Sequence, residues 1–330
     1  MNAFHIRDAR GEAAALHALY QACVKALPRC KQELVAHAMP HQLLTTPGLV
    51  CFQDTSPVAA LLWRTTDAGV VTAEFYGESR GAAKEAVEVL VQAFLAATQS
   101  AKARYFELWT PQDSKVLQVI RGEGFQPLDR QLLSISKPIT SPALWNQFRF
   151  LSLRNFRASD CNTIARLIQE AYAGTADGLF YEEYQRPETC GAYVTRIINS
   201  PLCDLRNSWL AWSPSANKLA GIALSYIWPR ASALYLEQLV VHPLFRGKGL
   251  GRALLSSVCG SLAEGSIEKV IVTVSKDNHP GLALLRSAGA EQIHSEVAFV
   301  HKQVPRGPEA QNNAGRPGET KSNPPILQPA

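Results

Sequence analysis

The chain has 330 residues, a net charge of +5, a hydrophobic fraction of 46% and a charged fraction of 18%, which is typical of a globular protein with two domains. The modest charge argues against a dedicated nucleic-acid-binding protein, and no apolar run approaches the roughly 18 residues of a membrane helix. The seven cysteines form no Cys-x-x-Cys pair and the first residues lack a secretory pattern, so we expect a cytoplasmic protein without disulfides or a metal site.

The first half opens with Ile6-Arg7 and a predicted helix near Gly11–Lys25. Farther along, Arg80-Gly81 precedes a predicted helix at Ala82–Ala97 and a predicted strand at Arg104–Trp109. Asp113 and then Gly124-Phe125 follow. The proline-rich stretch Pro138–Leu144 then interrupts the strand pattern and predicts a domain boundary.

The second half repeats this order with an added helix. A helix is predicted from a Ser159 cap to Tyr172, with Asp160 favourable in its first turn. The further predicted elements are a helix at 188–198, strands at 209–212, 218–228 and 234–241, a helix at 250–262, a strand at 269–274, a short helix from Pro280 and two closing strands within 291–303.

Corresponding positions in the two halves are separated by a nearly constant number of residues. Arg246 lies 166 residues after Arg80, and Gly289 lies 165 residues after Gly124. This offset predicts two copies of one α/β unit, with a mixed, mostly antiparallel sheet flanked by helices. We therefore predict domains at 1–140 and 148–303. The Pro-, Gly- and Asn-rich residues 304–330 are predicted to be a disordered tail.

A glycine-rich turn in the second half has the properties of an anion site. The predicted strand Leu239-Val240-Val241 ends at His242-Pro243, and Arg246-Gly247-Lys248-Gly249-Leu250-Gly251 leads into a helix. The first amides of a helix lack internal partners, and glycine lets a phosphate approach the backbone. Arg246, Lys248 and Arg252 add positive charge. The spacing is neither that of a P-loop nor that of a dinucleotide fingerprint.

This Arg-x-x-Gly-x-Gly turn, preceded by Val-x-Pro and followed by Arg-Ala-Leu-Leu, resembles the GNAT superfamily of acyl-CoA-dependent N-acyltransferases. The resemblance implies acetyl-CoA as cosubstrate, with its pyrophosphate on the Arg246 side chain and on the amides of Gly247, Lys248, Gly249, Leu250 and Gly251. It also implies that the backbone of Leu239, Val240 and Val241 binds the pantetheine arm. The Val241 amide would polarise the thioester carbonyl, and Asn278 would contact the cofactor.

Acyl transfer to an amine requires a group that removes the amine's proton. Glu237 is the first candidate, because a regular strand would place it on the face shared by Leu239 and Val241. The superfamily also often has a glutamate near this position. The alternatives are that Glu237 is a structural strand residue or that His242 is the base. The tyrosine that often reprotonates the thiolate in this superfamily is replaced by Leu285.

The first half departs from the motif at the corresponding turn. Ala83 and Glu85 stand where the second half has Gly249 and Gly251, and a carboxylate near a pyrophosphate would repel it. The first half is therefore predicted to be a degenerate, non-catalytic copy. This arrangement is similar to that of tandem superfamily members such as mycothiol synthase-like proteins.

Residues 174–187 correspond to the segment that covers the acceptor in this superfamily. This segment contains three acidic residues and three aromatic residues, which suit a cationic amine or else a solvated helix start with core aromatics: Asp177, Glu182, Glu183, Phe180, Tyr181 and Tyr184. The predicted function is transfer of an acetyl group to a primary amine of a small molecule or protein, with a homodimer possible. A non-catalytic acyl-CoA-binding protein is the main alternative, and a nucleotide-dependent transferase is a third.

Overall fold

A computed structural model describes residues 4–26, 46–65, 69–77, 84–101, 103–108, 114–137, 139, 142–228, 232–264 and 267–302. The first half contains helices α1 (Ala13–Ala26), α2 (Lys84–Ala97) and α3 (Ser114–Gly122). The second half contains α4 (Cys161–Tyr172), α5 (Ala176–Phe180), α6 (Pro187–Ile198), α7 (Leu250–Cys259) and α8 (His279–Ser287). Within the described residues, no helix is long and apolar enough to cross a membrane.

Twelve strands form one mixed sheet. The strands of the first half are β1 (Phe4–Asp8), β2 (Gly48–Gln53), β3 (Ser56–Thr65), β4 (Val70–Gly77), β5 (Ala103–Leu108) and β6 (Gln126–Ile135). Those of the second are β7 (Ser152–Asn155), β8 (Trp209–Ser213), β9 (Lys218–Trp228), β10 (Ala233–Val241), β11 (Lys269–Ser275) and β12 (Glu291–Lys302). Among the described pairings only β4 with β5 and β10 with β11 are parallel, which confirms the predicted mixed, mostly antiparallel sheet.

The two halves exchange their last strands. The sheet order is β1-β2-β3-β4-β5-β12-β6-β11-β10-β9-β8-β7. Strand β12 of the second half therefore lies between β5 and β6 of the first, and β6 pairs with β11. The boundary predicted near residue 140 separates the two halves along the chain but not within the sheet.

Three sequence-based details are wrong. The two predicted closing strands are the single strand β12, in which a bulge between Gln292 and His294 changes the register. Ser159 does not cap α4, because residues 158–160 form a 3-10 turn and Asp160 precedes the helix. The helix predicted to reach Leu262 ends at Cys259 and continues as a 3-10 turn.

The helices cover the sheet because each presents an apolar stripe. In α4 the buried residues recur at helical spacing and include Ile164, Leu167 and Ile168. Burying each of these three side chains contributes about 2 kcal/mol. The α4 and α6 helices pack on β9 and β10 on one side of the sheet. On the other side α7 packs on the same strands through Leu250, Leu254 and their neighbours.

Candidate active site

Strand β10 separates from β11 at its carboxyl end. The two strands pair through Ala233–Tyr235, and this pairing ends four residues before Leu239, where the chain approaches the glycine-rich turn. His242 N–H donates to Ala220 O at 2.9 Å. Since hydrogen-bonded and non-hydrogen-bonded pairs alternate along an antiparallel ladder, Leu239 and Val241 direct their backbone groups away from β9 and into this gap. Their predicted roles in pantetheine and carbonyl binding are compatible with this geometry.

The turn after β10 adopts a backbone that glycine permits. Gly247 and Gly249 have φ angles of 74° and 83°, in the left-handed region. Gly249 precedes α7 without a side-chain cap, and the first amide to bond within the helix is that of Ala253, to Gly249 O. The amides of Leu250, Gly251 and Arg252 therefore lie at the positive end of α7 without an intrahelical acceptor.

The three basic residues around this turn have different surroundings. Arg246 donates from Nε to Val241 O at 3.1 Å and from Nη2 to Ala171 O at 2.8 Å, so its guanidinium joins the ends of β10 and α4. Lys248 contacts Leu244 O and the Phe245 ring. Arg252 is exposed beside the helix start. The Arg246 guanidinium therefore orders the turn through two of its five N–H donors.

A cavity of about 680 Å³ lies between the β10 edge, the turn and α8. Ten of the eleven predicted cofactor residues line it: Leu239, Val240, Val241, Arg246, Gly247, Gly249, Leu250, Gly251, Arg252 and Asn278. Lys248 does not. The α4–α5 segment forms the opposite wall through Tyr172, Thr175 and Asp177. The turn, the strand edge and the start of α8 thus meet around one cavity, as the motif predicts.

Asn278 and Leu285 lie on α8 and its cap. Asn278 Oδ1 accepts from the Gly281 amide at 2.9 Å, so the side chain that faces the cavity also caps the helix. Leu285 is 3% exposed within the core around α7. It has no group that donates a proton, and its burial places it away from solvent.

A β-bulge reverses the predicted orientation of Glu237. The register between β10 and β9 shifts between Leu236 and Gln238, so Glu237 is the extra residue. Its Oε1 accepts from Tyr193 Oη of α6 at 2.7 Å, whereas Leu239 and Val241 pack toward the α7 side. The expectation that Glu237 shares their face is wrong, because it assumed an uninterrupted two-residue alternation.

Glu237 and Gln238 belong to one buried network of hydrogen bonds. Gln238 Nε2 donates to Tyr193 Oη at 2.7 Å and to Tyr184 Oη at 2.9 Å, and Tyr172 Oη donates to Gln238 Oε1 at 3.0 Å. Burial raises the pKa of Glu237, and the hydrogen bond from Tyr193 partly opposes that rise. A carboxyl group with a raised pKa is a better proton acceptor at neutral pH.

A second cavity, of about 580 Å³, adjoins the first. Tyr172, Asp177 and Asn278 line both, and Glu237 and Gln238 line the second. Burial raises the pKa of Asp177 to about 6, with Arg130 opposing the rise. Among the acidic and aromatic residues predicted to cover the acceptor, Asp177, Tyr181, Glu183 and Tyr184 line this second cavity. Phe180 is buried against the first half, and Glu182 pairs with Arg186.

His242 lines neither cavity. Its Nδ1 accepts from the Leu244 amide at 3.2 Å, and Nε2 lies 3.1 Å from Glu170 Oε2. The ring therefore caps the 3-10 turn at Pro243–Phe245. These contacts describe a structural residue.

The first half differs from the second at the corresponding gap. Strand β4 pairs with β5 through six residues, from Val70 to Phe75, whereas β10 pairs with β11 through three. Backbone hydrogen bonds therefore join β4 to β5 over twice as many residues as they join β10 to β11. The turn at Arg80–Ala83 and Asp113 lie outside the described residues, as does the predicted tail from 304. Glu85 is exposed in the first turn of α2.

Comparison with known proteins identifies the class. Residues 162–290 match the acetyltransferase (GNAT) family. The chain is 24% identical over 157 residues to thialysine N-epsilon-acetyltransferase of Bos taurus, covering 44% of this chain and 86% of that protein. The fold is similar to a GCN5-related N-acetyltransferase of Sphaerobacter thermophilus, with a TM-score of 0.64, 17% identity and coverage of 91% and 95% of the two chains.

A tandem GNAT protein from the clavulanic acid biosynthesis pathway is also similar, with a TM-score of 0.58, 13% identity and coverage of 92% of this chain and 100% of that one. The fold is therefore that of GNAT proteins along nearly the whole chain. Residues 162–290 form a GNAT acetyltransferase domain, and the protein is an acyl-CoA-dependent acetyltransferase.

Sequence reasoning missed Gln238 and Tyr172, and it did not place Asp177 at the junction of the two cavities. The tyrosines of α4 and α6 lie at helical spacings that are also typical of core residues. Gln238 follows the candidate base directly, but a regular strand would have placed it on the opposite face. The bulge that brings both side chains together has no signal in the local sequence.

Proposed function

We propose that the protein transfers an acetyl group from acetyl-CoA to a primary amine by direct attack in a ternary complex. The observation that carries this proposal is the meeting of two cavities at Asn278. One is bounded by the free amides of α7 and the unpaired β10 edge, and the other contains the partly buried carboxylate of Glu237. The first suits a pyrophosphate with an extended arm, and the second suits an amine.

The residues of the first cavity support acetyl-CoA as the cosubstrate. Helix amides and Arg252 provide positive potential for the pyrophosphate, and a Cβ at Gly251 would lie 3.1 Å from Leu284 Cδ2, so this position favours glycine. The Leu239 and Val241 backbone groups in the gap offer hydrogen bonds to the amides of the pantetheine arm. We assign the thioester carbonyl to the Val241 amide.

In the proposed reaction the amine nitrogen bonds to the acetyl carbon and the carbon–sulfur bond breaks, leaving an amide and a thiolate. Glu237 takes the amine's proton, directly or through water. Leu285 cannot protonate the thiolate. The hydroxyl that borders both cavities is Tyr172, and we propose it, or solvent, as the donor. A CoA thiol has a pKa close to the ~8.5 of cysteine and can leave with little assistance.

The bovine relative, whose name describes acetylation of thialysine, supports an amine acceptor. We further propose that residues 1–140 and 148–303 are copies of one unit and that the first copy does not bind acetyl-CoA. The longer pairing of β4 with β5 supports this. A cytoplasmic location, a disordered tail at 304–330 and a homodimer remain predictions from the sequence.

The test measures release of CoA thiol from acetyl-CoA across a panel of primary amines. We expect Glu237→Gln to lower kcat by about 10²- to 10⁴-fold while the affinity for CoA stays unchanged. In the wild type, kcat/KM should fall as the pH drops through the raised pKa of Glu237, because the protonated carboxyl cannot accept a proton.

Glu188→Gln is the matched control, because this exposed glutamate lies in the first turn of α6 and lines neither cavity. If CoA binds but no amine provokes turnover, and Glu237→Gln changes nothing, the non-catalytic acyl-CoA-binding alternative is correct. ATP binding without affinity for acetyl-CoA would instead support a nucleotide-dependent transferase.

A further inference from the structure

The second cavity is shared by both halves of the chain. Its residues from the first half are Arg64, Thr72, Glu74, Tyr105 and Arg130. All five lie outside the part of the chain that matches the acetyltransferase family, which begins at residue 162. The first half therefore contributes a wall to the cavity in which the proposed function places the amine.

Tyr105 joins this wall to the segment that covers the cavity. Its hydroxyl donates to Phe180 O at 2.9 Å and accepts from the Glu182 amide at 2.5 Å. Its ring stacks on Tyr181 with 6.0 Å between centroids. The backbone of residues 180–182 is thus held in place by a side chain of β5.

The exchanged strand β6 carries a second link. Arg130 Nη1 donates to Tyr181 Oη at 2.8 Å, and Nη2 pairs with Glu296 of β12 at 3.1 Å. Burial raises the pKa of both Asp177 and Glu237, and the charge of Arg130 opposes the rise in each. A residue of the first half is therefore close to the carboxylates of the proposed active site.

The charges of the cavity favour a positively charged ligand. Each arginine in the lining has a carboxylate partner: Arg64 with Glu74, Arg130 with Glu296 and Arg196 with Glu183. Within the described part of the chain, Asp177 and Glu237 form no salt bridge. The lining contains four carboxylates and three arginines, so one ammonium group would balance its net charge.

The wall formed by the first half, which we call the far wall, contains a further acidic residue, Glu74, that lies at a distance from Glu237. Glu74 on β4 is five strand positions from Glu237 on β10, about 24 Å along the sheet surface at the usual strand spacing. Its side chain is 14% exposed and its partner Arg64 is 57% exposed. Such a partly exposed pair contributes less than about 1 kcal/mol, so an incoming ammonium can replace the guanidinium.

We propose that the first half forms the far wall of the acceptor site, and that this wall binds the unreacted end of an elongated amine with several positive charges. This proposal rests on the proposed function, because it assigns the second cavity to the acceptor. Glu74 and Thr72 are the residues that distinguish a long polyamine from a short one. Tyr105 is a positioning residue that holds the covering segment.

The experiment compares spermine with 1,4-diaminobutane, which is too short to span the cavity. We expect Glu74→Gln to raise KM for spermine at least fivefold, with kcat and the KM for 1,4-diaminobutane unchanged. Thr72→Val should raise KM for spermine in the same direction. Glu88→Gln is the control, because Glu88 is also ion-paired in the first half, with Lys84, but lies outside the cavity.

Binding of both amines to the CoA complex is measured by calorimetry alongside turnover. If spermine binds but is not acetylated, and Glu74→Gln weakens its binding, the far wall binds polyamines as proposed. The same result would contradict the proposed acetyltransferase function. The proposal that the far wall binds the unreacted end is overturned if Glu74→Gln affects both amines equally or affects neither. It is also overturned if neither amine binds. Preference for a lysine-containing peptide over both polyamines, without Glu74 dependence, also overturns it.

Discussion

At the scale of single residues, the proposed active site contains carboxyl groups whose pKa values are raised by burial. Glu237 and Asp177 both have raised pKa values because burial removes water from their carboxylates. The hydrogen bond from Tyr193 keeps Glu237 oriented, and Gln238 ties three tyrosine hydroxyls together. A partly buried carboxylate lowers the stability of the folded protein when it is charged, because it has lost contacts with water.

Replacing Asp177 with asparagine should stabilise the protein near neutral pH. The folded-state pKa of Asp177 is about 6 and lies above the unfolded value, so its favourable contribution is complete below about pH 4 and is lost as the pH rises through 6. Asparagine stays neutral throughout. We expect a gain of about 1–2 kcal/mol at pH 7.5, after allowance for partial exposure of the side chain.

Urea unfolding at pH 7.5 and pH 4 measures this difference, and the measurement at pH 4 is the internal control because Asp177 of the folded protein is then protonated and uncharged. Destabilisation by Asp177→Asn at both pH values would mean that the carboxylate makes favourable contacts in the folded protein, contrary to the expectation.

At the scale of elements, the turn that leads into α7 depends on its backbone conformation more than on its side chains. Gly249 has a φ of 83° directly before the helix, and its neighbours carry the amides proposed to bind pyrophosphate. The end of β10, the turn and α4 are joined by Arg246. The conformation of this turn therefore controls both the cavity and the helix start.

Gly249→Ala should cost about 1–2 kcal/mol of stability, because an L-residue is strained in the left-handed region. Its Cβ would also lie 3.1 Å from Gln147 Nε2. We expect weaker CoA binding as the turn shifts, measured by calorimetry together with thermal unfolding.

Gly191→Ala is the matched control, because Gly191 lies within α6 with open space where a Cβ would project, and alanine there should stabilise the helix by about 0.5–1 kcal/mol. Unchanged CoA affinity and stability in Gly249→Ala would show that the turn does not require glycine.

At the scale of the whole molecule, the exchange of β6 and β12 makes the two halves interdependent. Strand β12 has both of its neighbours, β5 and β6, in the first half, and β11 has β6 beside it. The second half therefore cannot complete its own sheet. The same exchange brings Arg130 to the proposed active site.

Residues 142–330 expressed alone should be insoluble or aggregated, because unpaired strand edges associate with other chains. Co-expression with residues 1–140 should restore a soluble complex that binds CoA. Size-exclusion chromatography of both preparations tests this, with the full chain as the control. A soluble, CoA-binding fragment 142–330 would contradict the interdependence.

The sequence by itself determined the elements around the glycine-rich turn. The spacing of Arg246, Gly249 and Gly251, the strand before them and Asn278 after them are local features, because the backbone conformation of a turn and the amides of a helix start depend on nearby residues. Local sequence patterns also predicted most of the helices and strands of the second half, which the folded chain contains.

Only the tertiary structure decided where Glu237 points and which residues face it. The bulge in β10 depends on its register with β9, and the far wall of the second cavity depends on strands that are distant along the chain. Alternation within one strand cannot reveal either feature, because a bulge adds a residue without changing the local pattern. Strand exchange likewise depends on pairing between the halves. The contribution of the first half to the second cavity could therefore not be predicted from the sequence.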